Sequence, residues 1–156
     1  MGVHNLIDQS TFMAHLEEQY SESCYGPAGH PVRWALVNSV LGLATRFKIA
    51  PGAEAELSDI PLRLFHNARM VLSDFILLEP SLLSMQALLA MALFAHAVQD
   101  EQALIMLIRN VSSQLEQFRK ASRFSKGEPG AGQTETRGEE YVDTTDLEKI
   151  IQNLGH

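Results

Sequence analysis

The sequence predicts an all-α fold of about five antiparallel-packed helices around one buried central helix, residues 82–98. Three observations predict it. Residues 82–98, LLSMQALLAMALFAHAV, are apolar on nearly every side, and a helix that is apolar all round has to be buried. On both sides of this segment, apolar residues recur at i, i+3 and i+4, the spacing of amphipathic helices. No stretch alternates with period two for long enough to suggest a strand.

The elements follow in order. Ser10 or Thr11 caps a first short helix whose apolar face is Phe12, Met13, Leu16 and Tyr20, with Glu17 and Glu18 facing water. Residues 21–29, rich in Ser, Gly and Pro, read as a loop. Pro31 suits a helix start, where its missing N–H costs nothing. Val32, Ala35, Leu36, Val40, Leu43, Ala44 and Phe47 form the stripe of a long second helix, which ends near Lys48 and is broken by Pro51-Gly52. Ser58 or Asp59 caps the third, with Pro61 in its first turn. Its stripe is Leu62, Phe65, Ala68, Val71 or Leu72, Phe75 and Leu78. Pro80 ends it, because the residue before a proline is pushed away from helical angles. Ser81 caps the central helix. Leu104, Leu107, Ile108, Val111, Leu115 and Phe118 define a fifth helix, with Arg109, Gln114 and Glu116 outward. Short connections favour antiparallel neighbours. Residues 125–143 hold glycines and an acidic bias but little that can be buried, and so read as a disordered acidic tail. Thr145 or Asp146 then caps a short C-terminal helix through Leu147, Ile150, Ile151 and Leu154, stopped by Gly155. The expected organisation is a helical domain over 1–124, a linker over 125–143 and a terminal helix over 144–156.

Composition narrows the function classes. With 156 residues and 46% hydrophobic content the chain can bury one core. A net charge of −7 argues against direct nucleic-acid binding, which needs clustered Lys and Arg. Cys24 is the only cysteine, so neither an internal disulfide nor a thiolate zinc cluster is available, and a reducing compartment fits. The N-terminus lacks a basic region followed by an apolar run. The longest apolar run, Ala87 to Ala95, is about half of the ~20 residues that a spanning helix needs. No membrane or cofactor is expected.

Four segments resemble a known family. His4-Asn5-Leu6-Ile7-Asp8-Gln9-Ser10-Thr11-Phe12, Trp34-Ala35-Leu36-Val37-Asn38-Ser39-Val40-Leu41, Phe65-x-x-Ala68-Arg69, and Pro80-Ser81-Leu82 followed by Gln86-Ala87-Leu88-Leu89 and Met91-Ala92 occur in this order. Together they resemble the middle homology region of fungal binuclear zinc-cluster transcription factors, the fungal-specific transcription factor domain. The likeness runs from Val3 to Ile108. That family's cysteine-rich DNA-binding module lies upstream and has no counterpart here. Its usual Leu-Gly-Leu-His ending is not found after Val111, and Leu154-Gly155-His156 is only an echo of it. The resemblance therefore implies either a fragment or a shortened stand-alone relative. It implies a nuclear regulator of transcription, with cytoplasm as the alternative location, that acts through protein contacts in place of its own DNA-binding cluster. It also suggests control of a secondary-metabolite gene cluster. A body cut short in this way would leave apolar helix faces exposed, and such faces seek a partner protein or a second copy.

The chemistry-bearing side chains support a second reading. His66, Asp74 and His96 would be the catalytic set of a small stand-alone enzyme, or would bind a metal or ligand, if the third and fourth helices pack antiparallel. The plainer reading makes His66 a surface residue and His96 a helix-end residue beside the negative end of the dipole. Arg69 is a candidate for a ligand carboxylate, or else bonds a helix end or a neighbouring carboxylate. Cys24 and His30 are near in sequence, but a thiol in such a loop is more simply structural or exposed. Arg119, Lys120, Arg123 and Lys126 form a nuclear-import candidate, or simply complement a helix C-terminus. Met70, Met85, Met91 and Met106 read as adaptable core filler, with an apolar small-molecule pocket as the alternative.

Overall fold

The computed structural model describes residues 6–21, 29–48, 52, 59–125 and 144–155. Among them are seven helices and no strand: α1 (Gln9–Ser21), α2 (Pro31–Lys48), α3 (Asp59–Met70), α4 (Leu72–Ile76), α5 (Leu82–Ala97), α6 (Glu101–Ser125) and α7 (Thr145–Leu154). The fold is all-α.

The centre is α5. Ser84, Met85 and every residue from Ala87 to Ala95 are buried. Its start is set by a reciprocal cap: Ser81 Oγ accepts the Ser84 N–H at 3.1 Å, and Ser84 Oγ accepts the Ser81 N–H at 3.0 Å. The Ser84 hydroxyl then donates to Gln114 Oε1 of α6 at 2.7 Å, so the one hydroxyl brought into the core by the cap is satisfied there. Broad contacts with α2 on one side and α6 on another cover α5, and α7 covers a smaller part.

His30 starts α2, its Nδ1 accepting the Arg33 N–H at 3.2 Å. At Gly42, α2 packs against both α3 and α5. A Cβ there would stand 3.0 Å from the Phe94 ring and 3.3 Å from the Pro61 carbonyl. Phe94 stacks on Phe65 with centroids 4.5 Å apart, and Arg69 lies 5.9 Å over the Phe65 ring. Beside this stack a polar seam joins α2 to α3. Trp34 Nε1 donates to the Asn67 carbonyl at 3.1 Å, Asn67 Nδ2 to Asn38 Oδ1 at 3.2 Å, and Asn38 Nδ2 to the Trp34 carbonyl at 2.9 Å.

The turn from α5 to α6 closes with the Asp100 N–H bonded to the Ala95 carbonyl and the Gln99 N–H to the His96 carbonyl. Gln99 takes φ 60°, the left-handed position of this C-cap. Asp100 Oδ1 caps α6 through the Ala103 N–H at 3.0 Å. At the other end of the chain, α7 buries Leu147, Ile150 and Leu154 in the same core as α5 and α6, and an Arg119–Glu148 ion pair ties it to α6.

Several sequence expectations are corrected. Asp8, neither Ser10 nor Thr11, caps α1: Asp8 Oδ1 accepts the Thr11 N–H at 3.0 Å and the Ser10 hydroxyl at 2.8 Å. Met13 and Tyr20 are exposed, and the inner face of α1 is Phe12, His15, Leu16 and buried Gln19. Ala44 and Phe47 of the α2 stripe are exposed. The third helix is interrupted at Val71, which is buried and turns the chain. Leu62 and Leu78 accordingly face outward. Gln114 is buried, held by Ser84, rather than outward. Met85 and Met91 are core residues as expected, whereas Met70 and Met106 are exposed. The expected linker lies outside the described residues, except for Ser125, which ends α6.

Two substitutions on α2 should shift stability in opposite directions. Gly42→Ala should cost about 1–3 kcal/mol in a denaturant melt, because the Phe94 ring must move. Ser39 is fully buried, and its hydroxyl has no partner among the described residues. Ser39→Ala should therefore be neutral or gain up to ~1 kcal/mol in the same melt.

Candidate functional site

The C-terminal ends of α2, α5 and α7 meet around an open cleft of about 610 Å3. Leu43 and Leu93 form its buried floor, and Ala97 and Leu154 its walls. Phe47 stands at its mouth, 71% exposed. Among the described residues the polar lining is Arg46, His96 and Asn153, with no carboxylate. Arg46 Nη2 donates to the Ala97 carbonyl at 2.9 Å. A cation on the last turn of α5 satisfies a carbonyl that has no partner within the helix and lies at the negative end of its dipole.

The side chains singled out in the sequence are scattered. His66, Asp74 and His96 are each exposed. Among the described residues no group of three His, Cys, Asp or Glu side chains is placed to hold a metal ion. Of the set, His96 alone lines the cleft. Arg69 packs its guanidinium on Phe65, a cation–π contact. His30 serves as a helix cap, and Cys24 lies outside the described residues. Arg119 pairs with Glu148, Lys120 and Arg123 are exposed, and Lys126 lies outside the described residues. Arg46, Phe47 and Asn153 were not singled out in the sequence. They meet only because three helices end at one place, and nothing in their local spacing signals that.

A polar junction fastens α1 to the start of α2. Arg33 is 6% exposed. Its Nη1 donates to Glu18 Oε2 at 2.8 Å and its Nε to Gln19 Oε1 at 3.4 Å. Burial lowers the pKa of the half-buried His15; the positive charges of Arg33 and His30 lower it further, and Glu18 opposes them. Gln86 Nε2 donates to the Leu6 carbonyl at 3.1 Å, anchoring the segment before α1 to α5.

Comparison with known proteins places this helical body. The chain is 34% identical over 104 residues, 66% of its length, to two proteins named ABC-transporter-regulating transcription factor, from Aspergillus oryzae and Aspergillus fumigatus. It is 34% identical over 97 residues, 62% of its length, to the Fusaridione A cluster transcription factor fsdR of Fusarium heterosporum. These relatives are fungal transcription factors. The matched stretch is 11% of each Aspergillus protein and 18% of the Fusarium one, so the chain corresponds to a small part of its relatives. No family model and no solved structure matches. Among the described residues no helix is long and apolar enough to cross a membrane.

The α1 end of the fold should respond to pH in two separate windows. Hydrogen bonds from the Thr11 side chain and N–H, with a further one from Ser10, hold the Asp8 carboxyl down to about 2. The unfolded chain takes up this proton near 3.8, so the capping contribution is lost as pH falls from there to about 2. The Thr11 amide resonance should titrate with its midpoint near the lower value. For His15 the folded chain resists the proton that the unfolded chain accepts near 6.5. Stability should therefore fall as pH drops below that point. Amide exchange along α1 should accelerate in that range, and His15→Gln should flatten the dependence.

Proposed function

We propose that this chain is a regulatory helical module of fungal transcription control that works by protein contact and not by catalysis. The observation that carries this reading is the 34% identity over 104 residues to proteins named as fungal transcription factors. The four segments similar to the middle homology region support the finer assignment to that domain. The name of the Fusarium relative, a cluster transcription factor, supports control of a biosynthetic gene cluster. On this reading residues 1–124 are the body, 125–143 a tether and 144–156 a helix that folds back on the body. The site of action is the nucleus. Lys120 and Arg123, on the exposed end of α6, belong to the import signal. DNA is reached through a partner, in keeping with the net charge of −7.

The contact surface in this reading includes the turn between α4 and α5, where Leu77 is 87% exposed and Leu78 53%. Adjacent large apolar side chains left in water are where a protein partner gains most. The test is a transcription reporter in a fungal host, with the chain fused to a heterologous DNA-binding module. The fusion should change reporter output at least several-fold relative to the DNA-binding module alone. Leu77→Asp combined with Leu78→Asp should abolish the change while leaving the helical circular dichroism intact. A fusion with no effect on the reporter sinks the regulatory reading. An unaltered effect in the double variant moves the contact surface elsewhere.

A further inference from the structure

The cleft at the ends of α2, α5 and α7 plays no part in the regulatory reading above. We propose that it binds a small apolar carboxylate, with the hydrocarbon against Leu43, Phe47, Leu93 and Leu154 and the carboxylate at Arg46. Its volume, about 610 Å3, lies within the ~300–1,000 Å3 typical of clefts for small organic ligands. Its lining has the composition of such sites, an apolar majority with a few polar groups that fix orientation. Phe47, 71% exposed at the mouth, offers a ring face that a hydrocarbon chain would cover.

The sign of the ligand follows from which groups are already engaged. Three helix C-termini converge here, and their dipoles taken alone disfavour an anion. At the end of α5 the carbonyls that would present that charge are bonded, as is Ile151 of α7. Ala97 receives Arg46; Ala95, His96 and Phe94 receive the N–H groups of the following turn; Ile151 receives the Gly155 N–H. The cleft therefore offers donors: the Arg46 guanidinium, the His96 imidazole and the Asn153 amide. One bond to a carbonyl engages only part of what a guanidinium can donate, and its planar fork matches a carboxylate. The same bond holds Arg46 across the cleft, so little side-chain freedom is lost when a ligand arrives. Among the described residues no acidic side chain lines the cleft, so a cationic ligand finds no counter-charge among them.

Decanoate below its micellar concentration is the probe, titrated into the full chain and followed by amide chemical shifts and calorimetry. Decanol and acetate serve as controls. Binding is expected with a dissociation constant of about 0.1–1 mM, the scale for a ligand of this size, and with shifts centred on Leu43, Leu93 and Leu154. Acetate should bind at least ~10-fold more weakly. Arg46→Gln should weaken decanoate about tenfold and leave decanol unchanged. Arg46→Lys should recover part of the loss, and Phe47→Ala should weaken both ligands. Circular dichroism establishes that each variant is folded. If Arg46→Gln is not, the wild-type shift map and the decanoate-to-decanol ratio decide. Shifts that map to another face, equal affinity for decanoate in wild type and Arg46→Gln, or no binding below the micellar limit each overturn the proposal. So does a dimer that Phe47→Ala disrupts and decanoate does not, because a second copy then occupies the cleft.

Discussion

Everything in this fold is arranged around a helix that has almost no face for water. From Ala87 to Ala95 each residue of α5 is buried, so the segment cannot exist in water unless neighbours surround it. The other helices are best understood as covers of differing tightness. One close cover lies along Gly42, where the lack of a side chain lets the backbone of α2 reach the Phe94 ring. Phe94 in turn stacks on Phe65, which carries Arg69 on its ring. This column runs from the core to solvent through three helices. It fixes the position of α3 relative to α5, although those two share few other contacts.

The segments resembling fungal regulators acquire a physical meaning here. Trp34 and Asn38 sit one turn apart on α2, and both bond to Asn67. Phe65 and Arg69 build the column beside buried Ala68, and Gln86 ties down the Leu6 backbone ahead of the Asp8 cap. Each motif holds one helix against another. None assembles a reactive site, so these motif residues build an architecture. This explains why His66, Asp74 and His96 are legible as candidates in the sequence and yet are exposed and ungathered on the fold.

The sequence carried the architecture well where burial alone decides it. Periodicity located α2, α5, α6 and α7, and the Ser81 cap is where its spacing put it. It failed where a tertiary contact overrode a local rule. Gln114 looks like a surface residue until a core hydroxyl needs an acceptor. Phe47, Leu62 and Leu78 look like core residues by their spacing, yet no neighbouring element among the described residues covers them. Gln99 occupies a left-handed cap usually given to glycine, so the tight α5–α6 turn has no local signature. The cleft was illegible for a topological reason. Arg46, His96 and Asn153 are far apart in the chain and meet only because three helices end together.

The covers differ in how they are fastened, and this bears on where regulation can enter. Buried apolar contact holds α2 and α6 to α5 across most of their lengths. By contrast α1 is fastened largely by polar bonds, Arg33 to Glu18 and Gln19, with His15 beside them resisting a proton. Meanwhile α7 rests on three apolar side chains and one ion pair, Arg119 with Glu148. Local opening is cheapest where few apolar contacts must be broken. A ligand or partner would therefore shift α1 or α7 long before it disturbed the column at Phe94. The cleft has α7 as one wall, through Asn153 and Leu154. A ligand in it would rest on α7, one of the two lightly fastened helices, and hold it against the body. The buried centre and the lightly fastened edges thus differ in what a contact at the surface can move.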